Sequence, residues 1–229
     1  MIRLKGVSKD FSGGVHALKD VNLTIEDGEF VYIIGPTGSG KSTMIKLLDG
    51  EEIPTTGEVY VEDINVGKLK HSKVPIYRRK IGVVFQDFRL LPNKTIFENI
   101  AFALEVIGMR KRDIRIRVRE VLELVSLSDK AKNFPSELSG GQQQRATIGR
   151  AIANHPKVLI ADEPTGNLDP QMSHEIMELL EKINEVENTT ILMVTHDSNI
   201  VDKYKKRTIC LEPGYVVADI MKGGYITNE

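Results

Sequence analysis

Gly35-Pro36-Thr37-Gly38-Ser39-Gly40-Lys41-Ser42 is the stretch on which the reading of this chain turns. It follows an apolar run, Phe30 to Ile34, and passes through Thr43 into Met44-Ile45-Lys46-Leu47-Leu48, whose apolar spacing suits a helix. The pattern G-x-x-x-x-G-K-[ST] at a strand-to-helix turn is the phosphate-binding P-loop. Its glycines let backbone N–H groups close round phosphates, and the open amides of a helix start favour anions. Lys41 can reach the β- and γ-phosphates, and the Ser42 hydroxyl can ligate Mg²⁺. A plain glycine-rich turn is the bland alternative. Gly35, Gly40, Lys41 and Ser42, all in place between a strand and a helix, argue against it, and the chain is expected to bind a nucleoside triphosphate.

The 229 residues give room for one large α/β domain, or a core with a small subdomain. Lys+Arg 31 against Asp+Glu 32 leaves a formal charge of -1, without the basic excess of a nucleic-acid binder. No apolar run approaches the roughly 18 residues of a membrane span. Met1-Ile2-Arg3-Leu4 passes directly into strand-like sequence, so no secretory signal is expected. Cys210 is the only cysteine, which excludes a disulfide within the chain and suits the cytoplasm.

Outward from the P-loop, Val15, Ala17, Val21, Leu23 and Ile25 fall at roughly alternate positions and predict a half-buried antiparallel β region over residues 2 to 34. Phe11 lies in a turn-like segment, where an aromatic ring can stack on a base or cover a sheet edge. Gly50 closes the P-loop helix. More strand is expected from Val59 to Val66, a short basic helical turn over Ile76 to Lys80, and a strand Ile81 to Phe85 that ends on Gln86.

Residues 87 to 138 change character. Thr95 and Glu98 fit a capping box before Ile100, Phe102, Leu104 and Ile107. A second helix, Arg112 to Leu127, sets Ile114, Val118, Val121, Leu122 and Val125 on one stripe. These residues read as a helical insertion, leaving 1–86 and 139–229 as the core. Beyond Leu138, helices at about 140–154, 170–187 and 199–204 alternate with strands near 158–161, 190–194, 209 and 216. That alternation predicts an α/β fold with a mainly parallel sheet. Met221 to Glu229 reads as a loosely held tail.

The chemistry is expected where strands stop, because ligands of open α/β sheets sit beyond the carboxyl ends of the strands. Ile34 leads into the P-loop and Phe85 into Gln86. Ala161 leads into Asp162 and Glu163, and Val194 through Thr195 into His196. Singly, Asp162 could start a turn and His196 could be an ordinary strand-end histidine. Together they suit phosphoryl transfer to water, which needs positioning and charge neutralisation. Asp162 would hold Mg²⁺ and Glu163 would activate the water. His196 would donate to the γ-phosphate, and Gln86 would touch metal and water.

Leu138-Ser139-Gly140-Gly141-Gln142 is a second anion-binding device. A capping box accounts for Ser139 and Gln142 but not for two adjacent glycines at a helix start, where propensity is poor. Asp169-Pro170 is a good N-cap and first-turn pair.

These elements, with Val158-Leu159-Ile160-Ala161-Asp162-Glu163-Pro164, Asn167-Leu168-Asp169 and His196, occur in the order of an ATP-binding-cassette (ABC) ATPase, which the chain resembles over nearly its whole length. The resemblance implies an ATPase using ATP and Mg²⁺. It also implies a head-to-tail homodimer in which Ser139, Gly140, Gly141 and Gln142 meet ATP bound to the other subunit's P-loop. Phe11 falls where the family places an adenine-stacking aromatic. Gln143 departs from an acidic residue common in relatives. Within the family, Ala161 to Asp169 resembles the lipoprotein-release and macrolide-efflux branch, and Val83 to Leu91 the cell-division branch of FtsE type. The latter implies an integral membrane partner of FtsX type at the cytoplasmic face of the membrane, with cell-wall hydrolases activated beyond it. The segment Gln86 to Ile100 would receive that partner, through Phe88, Leu90 and Leu91. An exporter ATPase is the alternative, since it would share every catalytic residue.

Overall fold

The computed structural model describes residues 1–223; the end of the expected loose tail, from Gly224 on, lies outside them. In chain order the elements are β1 (Ile2–Phe11), β2 (Val15–Ile25), β3 (Phe30–Ile34), α1 (Lys41–Leu48), β4 (Thr56–Val61), β5 (Ile64–Asn65), α2 (Val74–Arg78), β6 (Ile81–Val84), α3 (Ile96–Val106), α4 (Lys111–Leu124), α5 (Gly140–Ile152), β7 (Val158–Asp162), α6 (Pro170–Glu187), β8 (Thr190–Val194), α7 (Ser198–Tyr204), β9 (Arg207–Glu212) and β10 (Tyr215–Ile220). The chain forms two compact units, Met1–Arg78 with the residues from Thr190 on, and Arg79–Thr189.

The first unit holds two sheets. In one, β1 pairs antiparallel with β2 (Ile2↔Ile25) and with β4 (Ile2↔Val61), and β5 follows β4. Val21, Leu23 and Ile25 are buried while Asn22 and Thr24 are exposed, the one-sided burial that the alternation predicts. In the other, β3 lies parallel to β8 on one side and β9 on the other, and β10 pairs antiparallel with β9. All five residues of β3 and of β8 are buried, as continuous apolar runs of parallel strands should be. The strand expected over Val59 to Val66 is broken, because a turn at Glu62–Asp63 separates β4 from β5. Phe11 is the last residue of β1, with the turn beginning after it. The C-terminus of α1 is held from α2. The buried Tyr77 hydroxyl donates to the Leu48 carbonyl, and Arg78 Nε donates to that of Asp49 at 3.0 Å.

In the second unit β6 and β7 are parallel, in register Val84↔Ala161. Helices α3, α4 and α5 pack on one another around Gly149, where an added Cβ would stand 3.1 Å from Val121 and 3.4 Å from Ile100 and Val125. The stripe expected on α4 is buried throughout, Ile114 through Val125. On α3 the helical period turns Ile100 and Leu104 inward but leaves Phe102 41% exposed. Arg117 of α4 donates to the Ile152 and Ala153 carbonyls at the end of α5, and pairs with Glu187 at 2.9 Å at the end of α6. The Ile152 carbonyl also accepts from His155 N–H at 3.0 Å, and a cation at this helix end complements the dipole. Among the described residues, no helix is long and apolar enough to cross a membrane.

Candidate nucleotide site

In the first unit, β3 delivers the chain to a loop with left-handed backbone at Gly35, Gly38 and Gly40. At Gly35 a Cβ would overlap the Leu211 carbonyl of β9, and at Gly40 it would overlap that of Ala17 in β2. Neighbouring backbones therefore exclude any side chain at these two positions. Pro36, Thr37 and Gly38 are exposed, whereas Ser39 is 1% exposed and its hydroxyl lacks a protein partner. Helix α1 begins after Gly40 without a side-chain cap. Its first turn thus presents backbone N–H groups and the positive end of the dipole, the donor set that a phosphate takes. Lys41 Nζ donates to the carbonyls of Gly35 at 2.6 Å and Pro36 at 2.9 Å, so the ammonium lies over the loop. Ser42 is exposed and Thr43 half-buried beside it.

Because β3 and β8 are parallel, with Ile33 opposite Val194, His196 emerges at the same sheet edge as Gly35. His196 is exposed. Its neighbours are fixed: Thr195 N–H donates to the Ile33 carbonyl at 3.3 Å, and Asp197 caps α7 by accepting from Asn199 N–H at 2.9 Å. The cap at Asp197 is not among the sequence expectations, although its offset to Asn199 is a local signal. Phe11 is half-buried, with Lys9 Nζ 4.9 Å from its ring centroid.

The second unit gathers another set. The parallel pairing of β6 with β7 brings Gln86, Asp162 and Glu163 out at one edge. Asn167 Nδ2 donates to the Gln86 carbonyl at 3.1 Å, and Gly166 N–H to the Glu163 carbonyl at 3.1 Å. A Cβ at Gly166 would stand 3.2 Å from Gln86 Nε2 and 3.6 Å from Glu163 Cβ, so the two side chains flank that glycine. Glu163 itself has φ 49, a left-handed conformation that costs a non-glycine residue on the order of 1 kcal/mol or more. Sequence reasoning missed this, and with reason: Pro164 follows, and a residue before proline is biased to extended backbone. Among the described residues, no three His, Cys, Asp or Glu side chains converge as a metal site. Within this unit the Asp162 carboxylate and the Gln86 amide are oxygen donors of the kind Mg²⁺ takes, an ion that keeps waters and substrate phosphates as its other ligands.

The capping box at Ser139 is present in both directions. Its hydroxyl accepts from Gln142 N–H at 3.3 Å, and its N–H donates to Gln142 Oε1 at 3.0 Å. Gly141 has a packing reason that the sequence did not disclose, since a Cβ there would stand 2.9 Å from Met172 Sδ on α6. Gly140 meets only an ordinary 3.6 Å contact with Leu168, so the excess glycine is confined to that one position. Gln143 Nε2 donates to the Leu138 carbonyl at 3.1 Å, and Gln144 Nε2 to that of Pro164 at 2.7 Å. A cavity of about 300 Å³ opens here, lined by Ser139, Gly141, Gln142, Arg145, Met172 and Glu175. A second, of about 540 Å³, lies at the start of α3 beside Thr95, Phe97, Arg119 and Lys132.

Comparison with known proteins gives the family. Residues 18–166 match the ABC transporter family. The cell-division ATP-binding protein FtsE of Bacillus subtilis is 53% identical over 98% of both chains. That of Mycobacterium tuberculosis is 54% identical over 98% of both. The solved dimeric structure of MJ0796, a bacterial ABC transporter cassette, superimposes with a TM-score of 0.87 at 42% identity, covering 98% of this chain and all of that one. A second MJ0796 dimer, a post-hydrolysis state bound to ADP and Pi, gives 0.86 at 41% identity and 98% and 100% coverage. With its P-loop, its strand-end carboxylates and its capped Ser-Gly-Gly-Gln helix, the chain belongs to the ATP-binding-cassette family, where it is similar over nearly its whole length to the cell-division proteins FtsE.

Proposed function

We propose that the chain is the ATP-hydrolysing subunit of a membrane-bound division machine. The observation that carries this is the Asp162–Glu163 pair at the end of β7, flanked by Gln86, in a chain that resembles FtsE at 53% identity. The P-loop amides and Lys41 hold the triphosphate and neutralise its charge. Glu163 accepts a proton from water as the water oxygen bonds to the γ-phosphorus, and the bond to the bridging oxygen breaks to leave ADP and phosphate. His196 donates to a γ-phosphate oxygen, and Phe11 stacks on adenine. Ser42, Gln86 and Asp162 would hold Mg²⁺, which would supply charge neutralisation. Ser139, Gly140, Gly141 and Gln142 serve ATP on a second copy, and residues 87–138 act as the helical subdomain. The coupled partner is an FtsX-type integral membrane protein met at the cytoplasmic face, and dimer closure is transmitted through it to cell-wall hydrolases.

Glu163→Gln tests the mechanism. It is expected to retain ATP binding and to lose about 10²–10⁴-fold in kcat, the usual worth of a positioned general base. Wild-type turnover in that variant would remove Glu163 from the role. The coupling is tested separately: purified FtsX-type protein should raise ATPase activity, and a lipoprotein-release partner should not.

A further inference from the structure

We propose that Thr147 and Arg150, on helix α5, are positioning residues that hold the Gln86 loop in register with the Ser139 end of that helix. The loop is unusual after Gln86. Phe88 and Arg89 are two successive non-glycine residues in left-handed backbone, at φ 57 and 50. Such a pair persists only where its surroundings over-determine it. Here the surroundings are α5. The buried Thr147 hydroxyl shares its one proton between the Phe88 carbonyl at 3.1 Å and the Gln143 carbonyl of its own helix at 3.0 Å, and Arg150 Nη2 donates to the Phe88 oxygen at 3.1 Å. Arg150 Nη1 donates to the Arg89 carbonyl. The Arg89 guanidinium lies 3.7 Å from the Phe85 ring centroid, and its Nε donates to Asp87 at 3.0 Å. With Asn167 on the Gln86 carbonyl, the backbone at 86, 88 and 89 is gripped while the Gln86 side chain stays exposed.

Two to three turns of helix separate these donors from Ser139, about 12 Å for Thr147 and about 16 Å for Arg150 at 1.5 Å per residue. A movement of the capped end of α5 therefore reaches the Gln86 backbone through hydrogen bonds, not through side-chain packing alone. The inference rests on the role proposed for Gln86 above.

The test uses the full chain with MgATP. Thr147→Val removes the hydroxyl and keeps the shape, Thr147→Ser keeps the hydroxyl, and Arg150→Lys keeps the charge but loses the two-pronged grip. Amide hydrogen exchange over residues 86–91 should quicken about tenfold in Thr147→Val and Arg150→Lys, and kcat should fall about tenfold with KM changed less than twofold. Thr147→Ser should stay near the parent. Unchanged exchange in the loop, a rise in KM matching the fall in kcat, or equal loosening of α3 and α4 would overturn the proposal. If Arg150→Lys fails to fold, Thr147→Val decides alone. Full activity in Gln86→Ala would count against the role given to Gln86, whereas loop exchange still decides the clamp.

Discussion

Lys41 is the side chain whose chemistry is simplest to isolate. Its ammonium donates to two carbonyls at the start of its own loop, within reach of the uncapped turn that follows. A charged hydrogen bond contributes roughly 1.5–3 kcal/mol, so Lys41→Ala should weaken ATP binding by about 10- to 100-fold without unfolding the chain. Titration calorimetry reads the affinity, and an unchanged Kd would contradict the assignment of the loop. The identity of such residues was legible because P-loop chemistry depends on residue type at fixed spacing. Their backbone was not. The left-handed turns at Phe88 and Arg89 are held by Arg150, far along the chain, and no local propensity announces them or the one at Glu163.

At the level of elements, caps were read well and packing was read poorly. Thr95 with Glu98, Ser139 with Gln142, and Asp169 with Met172 all form, since both members of each pair lie within three residues. Gly141 needed Met172 of another helix for its explanation, and the exposure of Phe102 needed the third dimension. The end of α1 gives a pH-dependent prediction. Asp49 is 6% exposed, and burial raises its pKa above the ordinary carboxylate value. Between those two values the folded chain binds the proton more tightly than the unfolded one, so stability falls as pH rises through that window. Asp49→Asn keeps an oxygen for the Glu51 N–H, now accepted at 2.8 Å, and removes the desolvated charge. At pH 7 it should melt above the parent, burial outweighing the loss of the Arg78 charge 3.8 Å away, with the gap closing as the pH falls to the ordinary carboxylate value. A lower melting point at pH 7 would refute this account.

For the molecule as a whole, the 25.6 kDa chain is similar to a cassette solved as a dimer. The Glu163→Gln variant should double in mass by light scattering when ATP and Mg²⁺ are added, and Lys41→Ala should not. A monomer at saturating ATP would sink the proposed head-to-tail closure. The fold class and element order were legible from strand–helix alternation. The pairing of β3 with strands from the far end of the chain was not, because contact between distant segments leaves no periodic trace. That pairing also governs how the protein is born. Strand β3 has only β8 and β9 as neighbours in its unit, and Leu211 walls the first glycine of the P-loop. A nascent chain on the ribosome therefore carries Lys41 long before it can shape the cradle around it. The walls of that cradle are complete only once translation has passed β9.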